Sequence, residues 1–180
     1  MQGLEQYDVK VLLALMKSIS GRTDFFKWLL SAGYPELAAF SNAIRADDDA
    51  MVWLFTHDYA WLAILSNACD GDEKAKAWIG KALTPVNLMY ALACRRDKAA
   101  LKWLYDRHLD IFLMMAQETE KFLLYQEKEV AGPYVMHFGG HYRAAKLLEE
   151  WKQQQSEDND KKRQPSNQGD PGNEESRLAK

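Results

Sequence analysis

The stretch Asp97–Leu104, DKAALKWL, ends in a Trp-Leu pair that recurs along the chain at intervals of 25 residues. Each copy has an indole followed by an aliphatic side chain: Trp28-Leu29, Trp53-Leu54, Trp78-Ile79 and Trp103-Leu104. A small residue lies ten positions before each Trp: Ser18, Ala43, Ala68 and Ala93. The residues six positions before each Trp are Arg22, Asp47, Asp72 and Asp97. The residues three positions before it are Phe25, Ala50, Ala75 and Ala100. Several positions with one common spacing indicate a tandem structural repeat.

Each repeat unit has the pattern of two short helices. In the third copy, Ala75, Trp78 and Ile79 have i, i+3 and i+4 spacing and form one apolar stripe. The following Thr84-Pro85 pair is typical of a helix start, with Thr as the cap and Pro in the first turn. A second stripe comes after it: Val86, Met89, Tyr90 and Ala93. Because helices this short are unstable alone, the units are predicted to stack into an all-α array.

The repeated tryptophans are predicted to form the structural core of this array, with each indole wedged between neighbouring helix pairs. The four are Trp28, Trp53, Trp78 and Trp103. A buried indole removes about 200 Å² from water, so the loss of one is predicted to cost about 3–5 kcal/mol.

The pattern divides the chain into a helical-repeat domain, 1–151, and a polar tail, 152–180. The predicted units lie near 8–32, 33–57, 58–82, 83–107 and 108–131, followed by a C-terminal cap at 133–151. The cap is predicted to contain a last helix from about His141. The tail has almost no apolar side chain to bury, so it is predicted to be disordered.

The stretch around Thr84-Pro85, with Ala91 and Ala93 in one helix and Ala100–Leu104 in the next, resembles an ankyrin repeat. Gly140–Leu148, GHYRAAKLL, is similar to the Gly-His turn and second helix of another such unit. Ankyrin units are about 33 residues long and carry β-hairpin fingers, for which a period of 25 leaves no room. The resemblance therefore implies a right-handed solenoid of stacked helix pairs without fingers. It also implies recognition of other proteins and no shared catalytic residues.

Composition narrows the classes of partner. A formal charge of −3 gives no overall attraction to nucleic acid or anionic lipid. The sequence has no apolar run of about 18 residues, and its start lacks the basic region of a secretory signal. Two cysteines do not make a disulfide scaffold. These features predict a cytoplasmic protein that does not bind membranes.

The residues that could bind metal are interpreted as structural, and no cofactor is predicted. Cys69 and Cys94 occupy equivalent places in neighbouring units and are expected to be buried thiols. The histidines lack ligand spacing on an unbroken helix: His57, His108, His137 and His141. The acidic clusters Asp47–Asp49 and Asp70–Glu73 lack a calcium-loop pattern. Both precede predicted helices, where carboxylates interact favourably with the helix dipole, so they are predicted to cap those helices.

A repeat without a catalytic motif favours a non-enzymatic protein that binds another protein, as an adaptor, inhibitor or immunity-type protein, and that is a monomer or weak oligomer. The best candidates for its binding face are on the polar side of the second helix of each unit: Asn42, Arg45, Asn67, Asp70 and Arg95. Two alternatives stay open. A nucleic-acid-binding helical array would need a basic concave face, and an enzyme would need a site assembled from distant residues.

Overall fold

The computed structural model describes residues 3–130 of the 180, and within that range all regular structure is helical. A short 3-10 helix, Leu4–Gln6, precedes the α-helices. These are α1 (Val9–Ile19), α2 (Thr23–Ser31), α3 (Pro35–Ile44), α4 (Asp48–Thr56), α5 (Ala60–Asp70), α6 (Glu73–Ala82), α7 (Pro85–Ala93), α8 (Lys98–Asp106) and α9 (Asp110–Val130). The predicted cap at 133–151 and tail at 152–180 lie outside the described residues.

The helices form two layers. The inner layer contains α1, α3, α5, α7 and α9, and each packs against the next. The outer layer contains α2, α4, α6 and α8, and each of these packs on the inner helix before it and the inner helix after it. The predicted all-α array of stacked helix pairs is therefore confirmed.

The inner layer closes on itself. Helix α1 packs against α3 on one side and against α9, the last described helix, on the other. The inner helices therefore surround one continuous core, in which Phe40, Leu65 and Tyr90 are among the large fully buried side chains. The small residues of the repeat are buried where inner helices approach each other, and the hydroxyls of Ser18 and Ser41 hydrogen-bond at 2.7 Å between α1 and α3.

The turn from each inner helix to its outer helix repeats one local geometry. In the turn that follows each of the inner helices α1, α3, α5 and α7, one residue has a positive φ: Gly21, Ala46, Gly71 and Arg96. Aspartate then caps the outer helix by accepting from the backbone N–H three residues later, at 3.0 Å (Asp47), 2.6 Å (Asp72) and 2.8 Å (Asp97). The predicted capping role of the acidic clusters is thereby confirmed.

The prediction that the four tryptophans form the core is wrong for Trp28 and overstated for the others. Trp28 is 43% exposed, and the other three indoles are half-buried against the core surface: Trp53, Trp78 and Trp103. The residue after each Trp is fully buried instead: Leu29, Leu54, Ile79 and Leu104. Successive helical residues are about 100° apart, and the aliphatic side chain takes the inward direction while the indole lies along the flank of its helix.

The N-terminal segment holds the N-terminal ends of two inner helices. Asn87, at the start of α7, is buried and accepts from the Leu4 backbone N–H at 3.0 Å. Its amide also donates to the Glu5 carboxylate at 3.0 Å. At the α3 end, the Tyr7 hydroxyl donates to Glu36 at 3.1 Å. The equivalent positions of Asn87 in earlier units are buried leucines, Leu12, Leu37 and Leu62, so this unit departs from the repeat where the N-terminal segment binds it.

Candidate protein-binding groove

The five predicted recognition residues lie at one edge of the inner layer. They are Asn42, Arg45, Asn67, Asp70 and Arg95. Each is at the C-terminal end of an inner helix (α3, α5 or α7), or just after that end. Asn42 and Asn67 are half-buried, and their carbonyl oxygens accept the backbone N–H groups of Asp47 and Asp72 in the turns.

Arg45 joins three inner helices rather than standing free. It follows the last turn of α3 and donates to the carbonyl oxygen of Ile19, at the end of α1, at 3.4 Å. Its guanidinium also lies 4.7 Å from the centroid of the Phe122 ring on α9. Because these contacts bridge α1, α3 and α9, Arg45 supports the closure of the inner layer.

Arg95 has the corresponding role 50 residues later in the sequence. Its Nε donates to the Asp70 carbonyl at the end of α5 at 3.0 Å, and its other nitrogens bind the carboxylates of Asp70 (3.2 Å) and Glu127 (2.5 Å). The neighbouring Arg96 pairs with Glu120 of α9. The charged side chains at this edge are therefore engaged mainly with each other and with helix ends.

A different surface has the form of a binding site. A groove of about 270 Å³ lies between α1 and α2 and is lined by Lys10, Ala14, Asp24, Phe25 and Trp28. Three of the lining residues are apolar or aromatic, and the two charged ones, Lys10 and Asp24, are exposed and are called its rim here. Val9 and Leu13 are exposed on α1 beside it, at i, i+4 spacing on one helix face. These two side chains and the groove form an apolar strip on α1 that is interrupted by Lys10.

Rim charges of both signs border this strip. Lys10 lies on α1 and Asp24 on α2. The Arg22 guanidinium hydrogen-bonds the Asp24 carboxylate at 2.9 Å and 3.1 Å, which holds the pKa of that carboxyl below its ordinary value of 3.8. The groove therefore presents an apolar floor between a cation and a fixed anion.

Within residues 3–130, no outer helix precedes α1, whereas each later inner helix follows an outer helix that packs on it. Leu13 is 36% exposed, whereas its equivalents 25 and 50 residues on, Ala38 and Ala63, are 1% and 0% exposed. Those two positions lie on α3 and α5, which are packed by the preceding outer helices α2 and α4. In the fourth unit the covering contact is direct, since a Cβ built on Gly80 of α6 would lie 3.3 Å from the Leu88 side chain.

The two cysteines are buried and free, as predicted. Burial raises the pKa of the Cys69 thiol well above its ordinary value of 9.0, and a hydrogen bond with the Cys94 thiol acts in the same direction. Burial also raises the pKa of Tyr90, whose hydroxyl is 2.9 Å from the Thr119 hydroxyl. Cys69 and Tyr90 are therefore neutral members of the core at physiological pH.

The two described histidines have structural positions. His57 stacks on Trp53 with ring centroids 4.2 Å apart, and its Nδ1 lies 2.8 Å from the Trp53 carbonyl. His108 is at a positive-φ position in the turn before α9. The candidates His137 and His141 lie outside the described residues. Within residues 3–130, no group of three or more His, Cys, Asp or Glu side chains is arranged to hold a metal ion.

No protein-family model matches the sequence, no curated protein matches it, and no solved structure matches the fold. The resemblance to ankyrin repeats therefore stays a prediction. No helix between residues 3 and 130 combines the length and apolarity needed to cross a membrane.

Proposed function

We propose that this chain is a non-catalytic protein-interaction module that holds an apolar helix of a partner protein in the groove between α1 and α2. It would act as an adaptor, an inhibitor or an immunity-type protein. The observation that carries the proposal is the exposure of Val9, Leu13 and Trp28 at the groove or next to it on α1. A contiguous apolar strip on a soluble protein marks an interaction surface more often than a chance exposure does.

The expected ligand follows from the shape and chemistry of the groove. A long depression flanked by two helices fits an amphipathic helix, which enters with side chains at i, i+3, i+4 and i+7. Trp28 and Phe25 offer aromatic surface to such a helix, and aromatic side chains at the centre of an interface contribute much of the binding energy. Lys10 and Asp24 at the rim would fix the direction of the bound helix.

The proposal places the protein in the cytoplasm as a monomer or weak oligomer. Its support is the state of Cys69 and Cys94, which neighbour each other and are both free thiols. Two neighbouring cysteine side chains stay reduced in the cytoplasm, whereas secreted proteins commonly contain disulfides.

Site-directed photo-cross-linking in the native cell tests this function. Leu13→benzoylphenylalanine places the reactive group in the groove, and Tyr105→benzoylphenylalanine places it at an exposed position on α8 as a control. The expected result is one partner protein, cross-linked through an amphipathic helix, from position 13 only. A synthetic peptide of that helix should then bind the purified protein, with affinity reduced at least about tenfold by Trp28→Asp. Equal cross-linking from both positions, or a peptide that ignores Trp28→Asp, would refute the proposal.

A further inference from the structure

The two helices that form the groove differ in charge from the chain as a whole. The hairpin of α1 and α2, residues 8–31, carries four basic and two acidic side chains, a formal charge of +2, whereas the whole chain has a formal charge of −3. The six charged residues are Lys10, Lys17, Arg22, Lys27, Asp8 and Asp24. The groove therefore lies on a locally cationic part of an anionic protein.

Both acidic side chains of the hairpin are already engaged within it. Asp8 caps α1 and accepts the backbone N–H of Lys10 at 2.8 Å. Asp24 is held by the Arg22 guanidinium at 2.9 Å, and that guanidinium also lies 5.5 Å from the centroid of the Phe25 ring in the groove. Because the pair of Arg22 and Asp24 is neutral in sum, the charge that the groove presents to a ligand comes mainly from the lysines.

The three lysines of the hairpin border the groove on both of its helices. Lys10 lines it, and Lys17 follows seven residues later on the face of α1 that also carries the lining residue Ala14. On α2, Lys27 is three residues after the lining residue Asp24. All three lysines are exposed, so a ligand in the groove meets a cation on either side.

We propose that the partner helix held in the groove is acidic, with glutamate or aspartate on both sides of an apolar stripe. This inference rests on the groove of the proposed function and adds the charge of its ligand. The apolar stripe packs on Phe25 and Trp28, and the carboxylates that flank it face the three lysines. Opposite charges around an apolar contact select the partner and speed its association more than they tighten its binding.

The shape of the groove favours a helix over the other ligand that exposed lysines attract, an anionic membrane surface. The lining residue Ala14 is buried and Phe25 is half-buried. A flat lipid surface touches only the raised side chains around a depression of about 270 Å³. The ridge of side chains on a helix enters such a depression.

Binding of designed peptides to the full-length protein tests the charge of the ligand. The probes are three fluorescent amphipathic peptides of about 18 residues, long enough to form a helix. They share one stripe of leucine and alanine, and their polar face is glutamate, glutamine or lysine. At low salt, the glutamate peptide is expected to bind at least about tenfold more tightly than the lysine peptide, because several exposed ion pairs act together. The difference should shrink as salt is raised.

Charge reversal tests whether the lysines of the groove cause this preference. The double variant Lys10→Glu, Lys17→Glu changes the hairpin from +2 to −2 and should make the lysine peptide the tighter ligand. Lys74→Glu, Lys81→Glu is the matched control, since these exposed lysines have the same spacing on α6, and it should keep the preference for glutamate. Circular dichroism checks the folding of both variants. A wild type without a preference for the glutamate peptide, or the same reversal in the control, would overturn the inference.

Trp28→Ala, which keeps every charge of the groove, separates this inference from the proposed function. It should weaken binding of the glutamate peptide at least about tenfold. If the three peptides bind wild type equally and Trp28→Ala weakens them all, the acidic ligand is overturned but the groove is kept as a helix-binding site. If no peptide binds, or if Trp28→Ala changes nothing, both are refuted.

Two further measurements test the other occupants of the groove. Vesicles of equal parts phosphatidylcholine and phosphatidylserine probe a membrane, and sedimentation equilibrium probes a second copy of this chain. The expected result is a monomer that does not bind the vesicles. Binding to vesicles that Trp28→Ala abolishes, or a dimer that Trp28→Ala dissociates, would assign the groove to that occupant and overturn the acidic helix.

Discussion

The substitution Ile79→Ala is expected to destabilise the protein more than the substitution of its neighbour, Trp78→Ala. The indole is the larger side chain, so a ranking by size gives the opposite order. The structure reverses it, because Ile79 is fully buried between the two layers and Trp78 is half-buried on the flank of α6.

The cost of Ile79→Ala combines lost burial with a cavity that neighbouring helices cannot close. Such substitutions cost about 2–5 kcal/mol, and a fully enclosed position belongs in the middle of that range, at about 3.5 kcal/mol. The cost of Trp78→Ala has no comparable cavity term. Half of an indole surface is about 100 Å², which at about 25 cal/mol/Å² contributes about 2.5 kcal/mol. A compact unfolded state and the better helix propensity of alanine reduce this to about 1.5 kcal/mol.

Urea unfolding followed by circular dichroism measures the difference. With a slope of about 2 kcal/mol/M, the midpoint of Ile79→Ala should lie about 1 M below that of Trp78→Ala. Lys74→Ala, at an exposed position of the same helix, is the control and should leave the midpoint almost unchanged. If Trp78→Ala proves the more destabilising of the two, the indoles contribute more to the core than the aliphatic residues that follow them, and the assignment of the buried stripe is wrong.

Three further outcomes are expected. Asn87→Leu removes the acceptor of the buried Leu4 N–H and should lower the free energy of unfolding in urea by about 1–3 kcal/mol. In a chain that begins at Asp8 the same substitution should not change that free energy, and an equal loss in both chains would refute the contact. Gly80→Leu should raise the free energy of unfolding by less than the roughly 1 kcal/mol expected from helix propensity, because a Cβ there would lie 3.3 Å from the Leu88 side chain. Leu88→Ala should restore that gain in the double variant, and strict additivity would contradict this. Burial raises the folded-state pKa of Cys69 above 9.0, so the contribution of this thiol to stability is complete below pH 9. As the pH rises beyond 9, that contribution is lost at up to about 1.4 kcal/mol per pH unit. Urea-unfolding midpoints measured between pH 7 and 10.5 should therefore fall less steeply for Cys69→Ala than for wild type, and an unchanged slope would contradict the burial of this thiol.

The sequence predicts the local structure of this fold well because each local feature has its own chemical signal. The Asp-x-x-Ala pattern predicts the capped start of each outer helix, and the structure has the bond from Asp to the N–H of Ala in three units. These signals depend only on neighbours along the chain.

The burial of adjacent residues was harder to predict. Trp78 and Ile79 both belong to the apolar stripe, and periodicity does not decide which of two neighbouring apolar residues points inward. Which of the two side chains points inward depends on the direction in which α6 packs on α5 and α7, and that direction is a property of the assembled array. For the same reason, the polar positions Arg45 and Arg95 seemed available for recognition, although the closure of the inner layer engages both of them with α9.

Because the inner layer closes on itself, the sequence pattern alone does not predict the candidate surface on α1. In an open array, the first unit is expected to have an exposed flank, and a polar first helix would serve as its cap. Here α1 instead carries Val9 and Leu13 on that flank, which is appropriate only if another helix lies there. Helix α9 occupies the inner position beside α1, and no outer helix within residues 3–130 spans these two. A partner helix that binds beside α1 is therefore expected to resemble α4, α6 and α8 and to carry their small-x-x-bulky-aliphatic stripe.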